Sequence, residues 1–251
     1  MPRGPRCAAN RHVGLGVALA SLFVAADAQP PPDGLWHGDV GVGGSAASGN
    51  GSATTINLRT EAVRATDADK IALSALVNYG RSSAGNVTTR SADLARVGGR
   101  YDRNLGTHFF AFGGGEAETN RPGGVSRRVN ANAGGGWHVL QSDSVGLDLF
   151  AGLGHAETRF TDGSRRAGLE WLLGEESSHK LGESTSFKQR LVLYPGSREI
   201  GNRATFDASL ATAIAAGWTF NTGLALRNSS KVPPGLQMTE RLLTFGFGYK
   251  F

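Results

Sequence analysis

The chain has a single cysteine, Cys7, among 251 residues, and it falls in the first 28. If that stretch is removed on export, the mature protein can form neither a disulfide nor a thiolate metal site. It also has no cysteine near the cut to carry a lipid. No later segment approaches 18 consecutive apolar residues, so transmembrane helices are excluded. Helical periodicity is scarce, and the 37 glycines disfavour helix interiors. The glycine runs Gly113–Gly115 and Gly134–Gly136 precede no helix, which rules out a phosphate loop; such runs in strands allow bending and tight interior packing. The excess of one sign of charge is small. Removing residues 1–28 takes away three Arg and one Asp, so Lys+Arg falls from 26 to 23 and Asp+Glu from 21 to 20, leaving +3. That is too little to argue for a nucleic-acid partner.

What is present begins with an export signature. Arg3, Arg6 and Arg11 form a positive start, and "VGLGVALASLFVA" is an apolar run too short to span a bilayer as a helix. Ala26-Asp27-Ala28 supplies the small-x-small pattern before a cut, and Pro30 to Pro32 prevent helix continuation. Residues 1–28 therefore read as a cleaved signal peptide and 29–251 as one mature domain.

Within that domain the recurring pattern is period two. Ile56 and Leu58 alternate with Asn57, Arg59 and Glu61; Leu73, Val77 and Tyr79 with Ser74 and Asn78; Trp218, Phe220 and Leu224 with Asn221 and Arg227. At the end of the sequence, "LLTFGFGYKF" places Leu243, Phe245, Phe247, Tyr249 and Phe251 on one face. Alternation of this kind is the strand signature. About twelve strands follow, most of about 11–14 residues, longer than the about five or six usual in soluble sheets. Short polar connections such as "DADK", "RNLG" and "QSDS" alternate with longer ones such as "ETNRPGGVS", "HAETRFTDGS" and "SKVPPGLQ".

Long strands, alternating turn lengths and a mean hydropathy of only −0.22 together predict a closed antiparallel transmembrane β-barrel, apolar outside and polar inside. Closure removes the edges that lipid could not satisfy. An even strand count puts both termini on the periplasmic, short-turn side. The competing reading is a soluble periplasmic β-barrel or sandwich that binds a ligand. It is disfavoured because glycine occupies so much of what would be its solvent face.

Two resemblances sharpen this. Thr244-x-Gly246-x-x-Tyr249-x-Phe251 resembles the C-terminal signal of bacterial outer-membrane proteins, which implies recognition by the barrel-assembly machinery. "LWHGDVGVGGSAASGN", with Trp36, Gly38, Gly43, Gly49 and Asn50, resembles the opening of the DUF481 family, the YdiY-like or salt-induced outer-membrane proteins. "VNANAGGGWHVL" with "LDLFAGLGHAETRF", and "LRNSSKVPPGLQMTERLLTFGFGYKF", are similar to that family's central and closing hairpins. Thr239-Glu240 departs from the Lys and Asp more usual at the start of the final strand. The resemblance implies an outer-membrane location and a barrel fold, with a structural or stress-related envelope role or a narrow channel. It supplies no catalytic residue.

A bare charge on the lipid face costs roughly 2–4 kcal/mol near the midplane. Arg59, Glu61, Asp148, Arg166, Glu170, Lys188, Arg190, Asp207 and Arg227 are accordingly expected in the lumen. Two readings of that lumen stay open: one plugged by mutually satisfied ion pairs, and a narrow water-filled pore whose excess of Arg and Lys favours anions. The alternative from another class is an outer-membrane lipid-modifying enzyme, for which His138 and His155, facing each other across one hairpin, are the candidates. No third ligand stands near that pair, so no metal or other cofactor is expected. The tryptophans and tyrosines fall mostly near strand ends, as interfacial girdles would; Trp171 fits less well, and core packing would explain it equally. Arg121, Arg127, Arg128, Arg159, Arg165 and Arg166 cluster at the predicted outer side, where two readings stay open: pairing with phosphates of outer-membrane lipid such as lipopolysaccharide, or ordinary solvated loop charge.

Overall fold

A computed structural model describes residues 32–47, 51–84 and 87–251. The proposed signal segment 1–28, and Gly49 and Asn50 of the opening motif, lie outside the described residues. Twelve strands follow in order: β1 (Trp36–Ala47), β2 (Gly51–Ala65), β3 (Asp69–Ala84), β4 (Val87–Asn104), β5 (Phe109–Asn120), β6 (Val125–Gln141), β7 (Val145–Phe160), β8 (Arg165–Lys180), β9 (Thr185–Tyr194), β10 (Arg203–Ala215), β11 (Trp218–Ser229) and β12 (Thr239–Lys250). Each pairs antiparallel with its sequence neighbours, and β1 pairs with β12, so the sheet closes on itself. Closure leaves no strand as a free sheet edge, which is the condition for crossing lipid with strands.

The alternation of the sequence is the alternation of the wall. Leu58, Val77, Val97, Leu153, Leu193, Leu224, Leu243, Phe245 and Phe247 all point outward and are exposed. Asp39, Glu61, Asn78, Arg96, Glu118, Glu170 and Asn221 point inward and are buried. At the short-turn end, Trp36, Tyr101, Phe109, Trp137, Trp218 and Tyr249 form an outward aromatic belt. Trp218 meets Tyr249 edge-on at 5.4 Å, and Phe109 stacks on Trp137 at 6.4 Å. Trp171 is 61% exposed on the outer face, so core packing does not explain it. Tyr194 departs from the belt: it packs against the buried interior ring cluster.

Several strands run further than the pattern alone indicates. β5 continues to Asn120 and β7 to Phe160, so "ETNRPGGVS" and "HAETRFTDGS" shrink to connections of residues 121–124 and 161–164. β8 continues to Lys180 through residues that read as a turn. The reason is physical: beyond the hydrocarbon the outward row need not be apolar. The period-two contrast then fades while the hydrogen-bond ladder persists. The two-residue connection Ala216–Gly217 needs Gly217 at φ 75°, in the left-handed region.

At the seam, Val40 pairs with Tyr249 and Val42 with Phe247, and Gly38 and Phe251 exchange both backbone hydrogen bonds at 3.1 Å. The Phe251 ring covers Gly38 so closely that a Cβ there would lie 2.6 Å from Cζ. Phe251→Ala is expected to lower barrel stability by about 1 kcal/mol, because the ring is only partly covered. Urea unfolding in lipid vesicles checks this; an unchanged midpoint would mean that the backbone pairing alone secures the seam.

Candidate functional site: the lumen

The interior rows carry charge in a cross-strand order. In the half nearer the long connections, Arg96, Glu118 and Arg128 sit directly opposite one another on β4, β5 and β6. Arg96 donates from Nε to Glu118 Oε2 at 2.9 Å and also from Nη2; Arg128 Nη1 donates to Oε1 at 2.7 Å. Arg128 Nε is taken up by Thr158 Oγ1 at 3.1 Å. Nearby, Arg203 Nη2 donates to both Glu170 oxygens at 2.8 Å and lies over the Tyr194 ring at 4.4 Å. Arg227 reaches Asp207 at 2.8 Å.

In the other half, Asp39 accepts from Arg59 at 3.1 Å. Arg59 can lie across the wall because its neighbour is Gly41, where a Cβ would stand 2.9 Å from Arg59 Nε. Asp102 is shared by Arg100 (2.5 Å) and Lys70 (3.3 Å). Glu176 lies 4.0 Å from both Arg100 and Arg190.

A second interior feature is aromatic. Phe110, Phe112 and Phe150 are buried against the wall with Leu172 and Val192. Their room comes from glycines on the adjoining strands: a Cβ on Gly136 would lie 2.1 Å from Phe110 Cζ, and one on Gly174 would lie 2.5 Å from Phe150 Cζ. The Arg100 guanidinium caps this stripe, 4.6 Å from the Phe112 centroid and 5.0 Å from that of Phe150. The other side of the interior is filled by Leu76, Leu94, Ala225 and Leu242.

Between these features runs a cavity of about 280 Å³. Eight basic and seven acidic side chains line it, so its charge is close to balanced. At the long-connection end it meets the β11–β12 loop, which reaches across the mouth. That loop's Leu236 and Pro233 lie against Gly124 in the β5–β6 connection, on the far side of a twelve-strand ring. Ser230 N donates to Asn202 O at 2.9 Å, pinning the loop to its β9–β10 neighbour.

The nine charges singled out from sequence occupy these interior rows. Glu61, Asp148, Lys188, Arg190, Asp207 and Arg227 line the main cavity. Arg59 and Glu170 are held as described, and Arg166 lies over the buried Phe160 ring at 5.1 Å. Sequence reasoning missed Asp39, Lys70, Arg96, Arg100, Asp102, Glu116, Glu118, Arg128, Glu176 and Arg203. The cavity lining as a whole keeps an excess of only one basic side chain, eight against seven, too small to support an anion preference. The signal was available in β4, where Arg96, Arg100 and Asp102 share even-numbered parity. Arg128 and Arg166 belong inside rather than to an outer basic cluster. Of the terminal motif, Thr244 and Gly246 face inward, and Tyr249 and Phe251 are exposed.

His138 and His155 do not face each other. His138 pairs with Asp148 at 2.7 Å inside the barrel, and its ring lies 4.7 Å from that of Phe110. His155 is exposed on the outer face, opposite Ala131. The bend between neighbouring strands cannot join opposite faces, so the histidine pair considered for lipid chemistry does not exist.

A family model described as "Protein of unknown function, DUF481" matches residues 40–251. No curated protein matches the chain in sequence. Among solved structures, the COG4313 outer membrane channel from Pseudomonas putida F1 is similar at 12% identity, with a TM-score of 0.54, over 92% of this chain and 100% of that one. The translocator domain of the autotransporter NalP from Neisseria meningitidis is similar at 13% identity, with a TM-score of 0.49, over 86% and 87%. The likeness to the Pseudomonas channel is a likeness of barrel fold.

Proposed function

The chain belongs to the DUF481 family, and from that premise we propose that it is an integral outer-membrane protein whose lumen is a narrow, charge-lined channel restricted at its outer mouth. The observation that carries this reading is the continuous interior cavity, lined by eight basic and seven acidic side chains inside an apolar outer wall. Export through residues 1–28 delivers the 29–251 domain to the periplasm. Thr244, Gly246, Tyr249 and Phe251 then present it to the barrel-assembly machinery. A structural envelope role without conduction is the second reading, favoured by the loop that spans the mouth. No catalytic group is assigned.

Planar-bilayer recording separates the two. Wild-type protein is expected to give small, infrequent conductance steps with weak ion selectivity, because the lining charges nearly cancel. Deleting residues 232–236 from the β11–β12 loop should raise conductance several-fold. A silent bilayer for both forms, from protein whose unboiled band migrates differently from its boiled band, would leave only the structural role.

A further inference from the structure

The outer face of β6, β7 and β8 carries an arrangement that the lumen does not explain. Arg127, Arg159 and Arg165 sit directly opposite one another in the ladder, Arg127 against Arg159 and Arg159 against Arg165. All three are exposed and on the outward row. Like charges placed directly opposite across strands destabilise a sheet, so such a row calls for an anion. Among the described residues one carboxylate serves it: Glu157 accepts from Arg159 at 3.2 Å and from Arg165 at 2.8 Å. Arg127 has no carboxylate partner among the described residues. Asp162, in the adjoining turn, is turned instead to the Ser164 hydroxyl (2.6 Å) and N–H (2.8 Å). Those hydrogen bonds, the hydroxyl's first, hold its carboxyl below the usual carboxylate range. Elsewhere at this end Arg90 lies 2.7 Å and Arg121 3.9 Å from Asp93, and Arg81 donates to the Tyr79 hydroxyl at 2.5 Å.

Below this row the same face turns apolar. Leu153, Leu169 and Trp171 are 44%, 57% and 61% exposed. Three adjacent strands span about 10 Å at about 4.8 Å spacing, wide enough to engage more than one phosphate on a single headgroup. Guanidinium groups bind phosphate by paired, charge-assisted hydrogen bonds.

We infer that Arg127, Arg159 and Arg165 form a binding site for a phosphorylated glycolipid of the outer leaflet. Its phosphates lie on the arginine row and its acyl chains on Leu153, Leu169 and Trp171. The inference rests on the outer-membrane reading and narrows its lipid partner to one place on the wall.

Native mass spectrometry of the detergent-solubilised barrel tests it. The probes are bisphosphorylated lipid A, dephosphorylated lipid A, phosphatidylglycerol and inorganic phosphate. Wild type should retain bisphosphorylated lipid A at least tenfold better than the other three. The R127Q/R159Q/R165Q variant should lose that preference by at least tenfold, and E157Q should keep it. Equal retention by the triple variant overturns the inference, as does equal retention of phosphatidylglycerol or binding of inorganic phosphate alone. Heat-shifted mobility is scored on every sample. A sample without the shift counts against the barrel in the membrane, whereas a shifted sample without lipid counts against this site.

Discussion

Glu118→Gln is expected to destabilise the barrel by about 3–5 kcal/mol, the range for breaking a buried ion pair by removing one partner. Glu118 is 5% exposed and is the carboxylate that both Arg96 and Arg128 address. Glutamine keeps the shape and one acceptor but leaves Arg128 without its carboxylate and Arg96 with only Glu116, at 3.6 Å. Urea unfolding in vesicles, followed by the fluorescence of the four tryptophans, gives the number. The triple replacement R96M/E118M/R128M should recover most of the loss, because an apolar set of similar volume removes desolvation cost and repulsion together. If Glu118→Gln costs less than about 1 kcal/mol, the value typical of exposed pairs, lumen water screens the triad and the ion pairs are not a structural plug.

Gly136→Ala is expected to cost about 1–3 kcal/mol, the usual penalty for forcing a group into a filled interior. The new methyl would lie 2.1 Å from Phe110 Cζ. That ring has little room to yield, being 3% exposed and bounded by the Arg100 guanidinium at 5.5 Å and the His138 ring at 4.7 Å. Gly135→Ala is the internal control. It is the next residue, faces outward, and its nearest neighbour would be an ordinary 3.5 Å away, so its effect should stay within about 0.5 kcal/mol, the range of surface substitutions. Combining Gly136→Ala with Phe110→Ala should be less damaging than the sum of the two, since each removes the other's obstacle. Strict additivity would show that the ring and the glycine do not share one space.

The contrast between these residues shows where sequence reasoning works. In β2, β11 and β12 the outward face is apolar and the inward face mostly polar or glycine, so the parity of Leu58 and Arg59, or of Phe247 and Gly248, sets the direction of the strand's side chains, with Ala225 and Leu242 as apolar members of the inner face. In β5 the run "FFAFGGG" has no such contrast: Phe109 points outward while Phe110 and Phe112 point in. The rule that apolar means lipid fails there, because an interior too wide for charges alone is partly filled by rings. The pairing of Arg96 with Glu118 and Arg128 depends on the register between three strands, which period two alone does not set. The mouth-spanning loop was legible as a loop, through "SKVPPGLQ", but its landing on Gly124 depends on the circumference of the ring.

The glycine-lined junction of β1 and β12 has its own consequence. Its register joins four residue pairs, Asp39 with Lys250 through Val42 with Phe247, whereas β1 and β2 share twelve. Apart from Asp39 and Lys250 at one end, Gly41, Gly43, Gly246 and Gly248 leave the inner side of that junction without side chains to interlock, and much of the load falls on main-chain bonds and on the outward rings. The wall is therefore a long ribbon fastened by a short clasp. Mechanical or thermal stress should part it there first, and during insertion that is where the last stitch is made.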